Sequence, residues 1–448
     1  MSSAIDNLGA SLAPKSILGI DVLLLVVWLG VLLLAVMSFQ VPFGAAGHDR
    51  LSANARLSVN VPLSSKGENS NESGGAESGG AVLAPSSGFD FLEREDRDWP
   101  LFRGDPRSTG TTRTEIPDRL EVVWQREFKG RSFEGTPIIV GGPDAPKVYL
   151  GDVEGNLMAI DLANGEVEWS TAMETEVGFV TAPAYRQNRL YIGDLDGYFH
   201  CFDLAGKKLW TFETEGEIDS SGNFDGDHVL FGSQDTRLYA LDAVTGKLAW
   251  QVETVDQIRC SPTVVQHRAF VAGCDGSLHV IDLEQGQEVA SVPIESPTGV
   301  TPAARGDRLF VGTEQAGFYC IDWKRARVVW HYDDPPGGIS TRSSPALVKG
   351  QVVFGAANRR VYSLDSETGK LNWSRLLKAK IESSPIIVGD RVFVGSLDGR
   401  FYELSLESGA VVWEKQLRGR VIGSPAAAWG RLVIATDRGL VYCLGAAR

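Results

Sequence analysis

The stretch Ala240-Leu241-Asp242-Ala243-Val244-Thr245-Gly246-Lys247-Leu248-Ala249-Trp250 returns as Ser363-Leu364-Asp365-Ser366-Glu367-Thr368-Gly369-Lys370-Leu371-Asn372-Trp373. Looser copies recur throughout, and the Trp that ends each unit stands at 124, 169, 210, 250, 330, 373 and 413. A period of about 40 residues means one supersecondary unit stacked many times, so it decides the fold ahead of local propensity. The gap from 250 to 330 is double, and its midpoint holds Ala290 in the degenerate copy Ile281-Asp282-Leu283-Glu284-Gln285-Gly286. Restoring it gives eight units.

Each unit reads as four short antiparallel strands. Ser383-Ser384-Pro385-Ile386-Ile387-Val388, the turn Gly389-Asp390 and Arg391-Val392-Phe393-Val394-Gly395-Ser396 form a hairpin. Asp398-Gly399 then turns into a third strand, and Glu407-Ser408-Gly409 into the Trp strand. The first Trp strand (Leu120 to Phe128) lacks a unit before it, and the last unit (Ala435 to Leu444) lacks a Trp strand after it. Pairing the two closes a ring and leaves no long open edge. The expected fold is all-β, an eight-bladed β-propeller of four-stranded antiparallel blades closed by its N- and C-terminal segments and preceded by one transmembrane helix. The Asp-x-x-Thr-Gly-Lys-x-x-Trp signature resembles the tryptophan-docking repeat of the pyrroloquinoline-quinone (PQQ) family of eight-bladed propellers. The resemblance covers residues 98–448.

The 448-residue chain therefore reads as one propeller with an N-terminal extension. Residues 1–16 form a tail. Residues 17–39 are apolar over a length that spans a bilayer as a helix, with a cleaved signal segment as the rival reading. Residues 40–97 form a flexible linker, Ser-, Gly-, Glu- and Asn-rich over 64–88. Asp98-Trp99-Pro100-Leu101-Phe102-Arg103-Gly104 marks the return of order at the start of the propeller, residues 98–448. The propellers it resembles are mostly extracytoplasmic, which implies an anchored propeller on the periplasmic side. A net charge of −14 argues against nucleic acid as a partner.

The resemblance raises PQQ with calcium as a cofactor. Alcohol-oxidising members hold the quinone with adjacent cysteines, a Trp platform and a calcium-binding Glu, Asn and Asp set. None of the five cysteines here is adjacent to another, so neither cofactor is expected. Cys201, Cys320 and Cys443 fall at a strand position held elsewhere by Ala159 and Ala240, as small buried residues do. Cys260 and Cys274 stand equidistant from the turn at His267, which sets them opposite each other on paired strands. The six histidines show no metal-ligand spacing, and Asp194 with Asp196 or Asp225 with Asp227 read as turn residues.

Two features suggest binding. The residue three before each inner-strand Pro step should face the channel mouth, and these positions carry the charges Glu134, Asp219, Arg259, Arg342 and Glu382. The connections from each Trp strand to the next inner strand share one face. They are basic in one sector, with Arg126, Lys129, Arg131, Arg375, Lys378, Lys380, Lys415, Arg418 and Arg420. Across the ring they are acidic, with Glu174, Glu176, Glu213, Glu215 and Glu217. A field of that kind steers a charged partner. The chain is similar to the propeller lipoproteins of the outer-membrane barrel-assembly machine, which use the fold as a protein-binding scaffold. The expected function is a membrane-anchored, non-catalytic scaffold for an envelope protein, with a quinoprotein dehydrogenase or a ligand-sensing propeller as alternatives.

Overall fold

A computed structural model describes residues 98–446, apart from 143, 175–176 and 335–338. The expected tail, anchor and linker lie outside the described residues, as does Glu176. Among the described residues no helix is long and apolar enough to cross a membrane.

Eight four-stranded antiparallel blades carry the described residues, the seventh extended by Thr111–Thr112, which pairs in parallel with Ile387–Val388. Blades 1 to 7 span residues 138–172, 184–213, 223–253, 263–293, 303–332, 346–376 and 386–416, and blade 8 joins residues 426–445 to the early strand Glu121–Glu127. In that closing pair Trp124 stands opposite Cys443 and Gln125 opposite Tyr442. Both ends of the ring are thus tied by strand pairing, as the phase offset of the repeats requires.

The repeat's own residues explain how blades adhere. Gly165, Gly206, Gly246, Gly286, Gly369 and Gly409 all have positive φ, and the preceding blade's Trp ring lies against each. A Cβ on Gly246 would stand 2.5 Å from a Trp210 ring carbon, and one on Gly165 2.6 Å from Trp124. Only glycine serves both needs, backbone twist and a flat bed for the indole. The indole N–H then donates across the junction: Trp124 to Leu162 O (2.8 Å), Trp169 to Leu204 O (2.9 Å) and Trp373 to Leu406 O (2.8 Å). At the third junction the Tyr191 hydroxyl takes the Ala243 carbonyl, and Trp210 Nε1 has no partner among the described residues.

The junction between blades 4 and 5 is built the other way round. Ala290 replaces the Trp, and Ala326 replaces the docking glycine while keeping its positive φ. Trp323, in the turn of blade 5, packs into this junction against Phe270 (5.3 Å between centroids) and donates to Gly306 O at 3.1 Å. The missing ring is supplied from the opposite side.

Residues 98–114 form a belt inside the ring that periodicity did not reveal. Trp99 pairs with Ile139 of blade 1, and Pro100 O accepts from Tyr185 N of blade 2. Pro106 O takes Asn223 Nδ2 of blade 3 and Val264 N of blade 4. Arg107, Thr109 and Gly110 carbonyls take Ala304, Leu347 and Ile387 of blades 5, 6 and 7, and Thr114 Oγ1 takes Gly430 N of blade 8. Innermost strands leave backbone groups facing the channel, and the belt satisfies them in order.

Candidate functional site: a funnel at the ring mouth

Each inner strand begins at the channel mouth and runs toward the belt. The aligned positions Glu134, Val180, Asp219, Arg259, Gly299, Arg342, Glu382 and Ile422 line one cavity of about 450 Å³. That volume lies within the range of about 300–1,000 Å³ of small-molecule sites. Phe102 of the belt lines it too, and the residue before each proline step, or before Gly222 in blade 3, supplies its wall.

That wall is a continuous hydrogen-bonded series. Ala182 N donates to Ser221 Oγ, Ser221 N to Ser261 Oγ and Ser261 N to Thr301 Oγ1, each at 2.9 Å. The series continues through Ser344, Ser384 and Ser424 to Thr136 at 2.9–3.1 Å. Ala182 has no hydroxyl with which to close it, and Phe102 packs on the cluster that contains Ala182. In the sequence the Pro step places the channel-mouth residues three positions before it. The hydroxyl before the proline was the available signal for the wall.

The rim charges are largely compensated. Arg259 Nε lies 3.3 Å from Asp219 Oδ2, and Arg342 Nε 3.7 Å from Glu314. Glu134 and Glu382 both act electrostatically on Arg420, which also lines the cavity and pairs with Asp437 at 2.7 Å. Burial pushes the Asp219 carboxyl up to about 6 against the opposing pull of Arg259, and its Oδ1 is buried with no partner among the described residues.

The basic sector divides into three groups. Arg126 and Arg375 bind docking turns through Nε, to Gly165 O (2.6 Å) and Gly409 O (2.7 Å), so they strengthen blade junctions. Arg131 pairs with Asp152 (3.2 Å), Lys378 with Glu414 (3.3 Å) and Arg418 with Glu127, the last bond linking the connection after blade 7 to the closing strand. Lys129, Lys380 and Lys415 have no carboxylate partner among the described residues. On the acidic side Glu174, Glu213, Glu215 and Glu217 are exposed, Glu215 pairs with Arg237 (3.0 Å) and Glu217 accepts from Gln234 (3.0 Å).

Other candidate groups are structural. Asp194 Oδ1 accepts from Asp196 N and Tyr198 N in its own turn, while its Oδ2 holds the buried His200 at 2.8 Å. His279 is held between Asp275 (3.0 Å) and Glu288 (3.1 Å). Cys201, Cys320 and Cys443 are fully buried, and burial raises each thiol's pKa, to about 11, 12 and 12. All five thiols are free. The expected facing of Cys260 and Cys274 is off by one, because Thr263 pairs with Phe270 and that register carries Cys260 to Gly273. Cys260 Sγ instead accepts from Ala272 N at 3.1 Å.

Among the described residues no three Asp, Glu, His or Cys side chains converge to hold a cation. The funnel floor offers Phe102 as its aromatic group.

Comparison with known proteins agrees with the repeat. A family described as outer membrane protein assembly factor BamB matches residues 118–259, 195–289, 255–388 and 377–447. The protein of that name from Burkholderia pseudomallei is 28% identical over 289 residues, 60% of this chain and 73% of the relative. That from Escherichia coli K12 is 23% identical over 236 residues, 47% and 60% respectively. The chain spans about half the length of two others, 56% in Moranella endobia and 46% in Nitrosomonas eutropha. Among solved structures, quinohemoprotein alcohol dehydrogenase from Comamonas testosteroni aligns with a TM-score of 0.65 at 15% identity, covering 79% of this chain and 81% of that one. A europium-containing methanol dehydrogenase aligns at 0.67 and 12% identity, covering 79% and 99%. At such identities the enzymes share the fold alone. The matched repeats run nearly the whole length of the closed ring, and by them the chain belongs to the PQQ-like propeller family described as outer membrane protein assembly factor BamB.

Proposed function

We propose that this protein is a non-catalytic scaffold of outer-membrane protein assembly, carried on the periplasmic side by a membrane anchor at residues 17–39 and a tether at 40–97. Its docking surface is the face bearing the blade-to-blade connections. The observation that carries the reading is the sector of lysines without carboxylate partners, Lys129, Lys380 and Lys415, set across the ring from exposed Glu174, Glu213 and Glu217. Fixed charges sorted by sector orient a partner and raise its association rate, whereas mutually paired charges would do neither. Family membership supports the same reading. A cell lacking the chain should show lowered outer-membrane protein content, restored by the wild-type chain. Lys129→Glu, Lys380→Glu and Lys415→Glu together should restore it poorly. Normal content without the chain, or dye-linked alcohol oxidation by the purified protein with PQQ and calcium, would overturn the scaffold reading.

A further inference from the structure

The wall hydroxyls of the funnel have a property that blade adhesion leaves unused. Thr136, Ser221, Ser261, Thr301, Ser344, Ser384 and Ser424 each accept a backbone N–H, and among the described residues none donates. Each is more than nine-tenths buried and lines the cavity. A hydroxyl that has accepted still carries one proton to give, so the wall presents a circle of donors without acceptors.

Beside that wall lies a buried cation. Arg103 is fully buried in the belt, and its Nη2 donates to Pro345 O (3.1 Å) and Pro385 O, the residues following wall residues Ser344 and Ser384. Its Nε and Nη1 find no partner among the described residues. Asp105 acts on it only at a distance, with no ion pair formed, and burial pulls the guanidinium down to about 9. A buried charge and a circle of unused donors are both costly unless something accepts from them. The rim carboxylates Glu134, Asp219 and Glu382 stand above the wall and face Arg259 and Arg420.

We propose that the funnel is an oxyanion-binding well. A phosphoryl or carboxylate head group enters past Arg342, accepts from the wall hydroxyls and sits in the field of the Arg103 guanidinium beside Ser344 and Ser384. No metal takes part. The inference is independent of the scaffold reading, because it concerns the channel and not the connection face.

The test is calorimetric titration of the full-length protein, in chelator-treated buffer, with inorganic phosphate and separately with succinate. One saturable site per chain is expected for at least one of them. Phosphate alone would identify a phosphoryl ligand and succinate alone a carboxylate. Ser344→Ala with Ser384→Ala should weaken binding at least fivefold, and Arg103→Met at least tenfold. Should Arg103→Met not fold, the serine pair decides. Binding of neither anion by the folded protein, or binding unchanged in the serine variant, would overturn the proposal.

Discussion

At the residue scale, the repeat is a contract between one glycine and one tryptophan. Gly246 (φ +72°) gives Trp210 its bed, whereas Gly306 (φ +57°) has nothing within 4 Å of where a Cβ would stand. Alanine at Gly306 therefore meets only the left-handed backbone cost of about 1–2 kcal/mol. Alanine at Gly246 adds displacement of the indole, for a total of about 3 kcal/mol. Denaturant midpoints of the two variants measure the difference, and equal losses would remove the docking argument. The sequence displayed this pairing openly, since both partners recur, but Trp323 has no counterpart in other units and escaped the count. Because Trp323 already fills the junction, Ala290→Trp should destabilise by about 1–3 kcal/mol, read as a lower melting temperature. A rise would mean that the junction holds a void. Asp219 makes a third residue-scale case. Its raised pKa of about 6 means that ionisation costs stability in full above pH 6, and that the cost fades as pH falls toward 3.8. Asp219→Asn should accordingly raise the melting temperature at pH 7.5 and leave it nearly unchanged at pH 4.

At the element scale, strands were legible and the belt was not. Strands repeat with fixed burial patterns, four buried residues in a row in Arg237–Asp242 and alternation on the outer half of the Trp strand Lys208–Glu213, and hairpin turns carry Asp and Gly at fixed offsets. The belt instead uses main-chain carbonyls, whose partners leave no residue pattern. Trp99-Pro100-Leu101-Phe102-Arg103-Gly104 showed that order resumes but not that the segment travels round the ring. The charged positions of the rim were likewise readable from their offset to the proline step. Which charges remained unpaired was not, because Arg259 with Asp219 and Arg420 with Asp437 meet only after the strands are aligned. The belt should also stabilise the inner strands it serves. Trp99 is buried, and its backbone pairs in both directions with Ile139. Trp99→Ala should cost about 3–5 kcal/mol, with faster amide exchange at Ile139 and Tyr185. Unchanged exchange at both would show that the belt is an ornament of a self-sufficient ring.

At the scale of the whole molecule, closure converts a chain of repeats into a structure without end units. An open array behaves as a sum of neighbour terms and frays from its ends. Here the ends are one blade, and its closing strand Glu121–Glu127 is held to Leu440–Gly445 by pairing instead of by a turn. Trp124 and Trp250 do the same chemical work, each against the glycine of the next blade, Gly165 and Gly286. Their topological positions differ. Trp250 lies on a strand whose hairpin partner precedes it in the chain, so losing its ring loosens one junction while connectivity keeps the strand beside its sheet. Trp124 lies on the strand that closes the ring, and losing its ring weakens the lock itself. Both substitutions to Ala should lower global stability by a similar amount, about 3–5 kcal/mol. Only Trp124→Ala should let Val441, Tyr442 and Cys443 exchange through local opening at rates far above the global limit. Equal protection of blade 8 and of Tyr239 to Leu241 in the two variants would mean that closure adds no cooperativity beyond neighbour packing. Selective loss at blade 8 would identify ring closure as the step that holds the funnel and the connection face in one rigid frame.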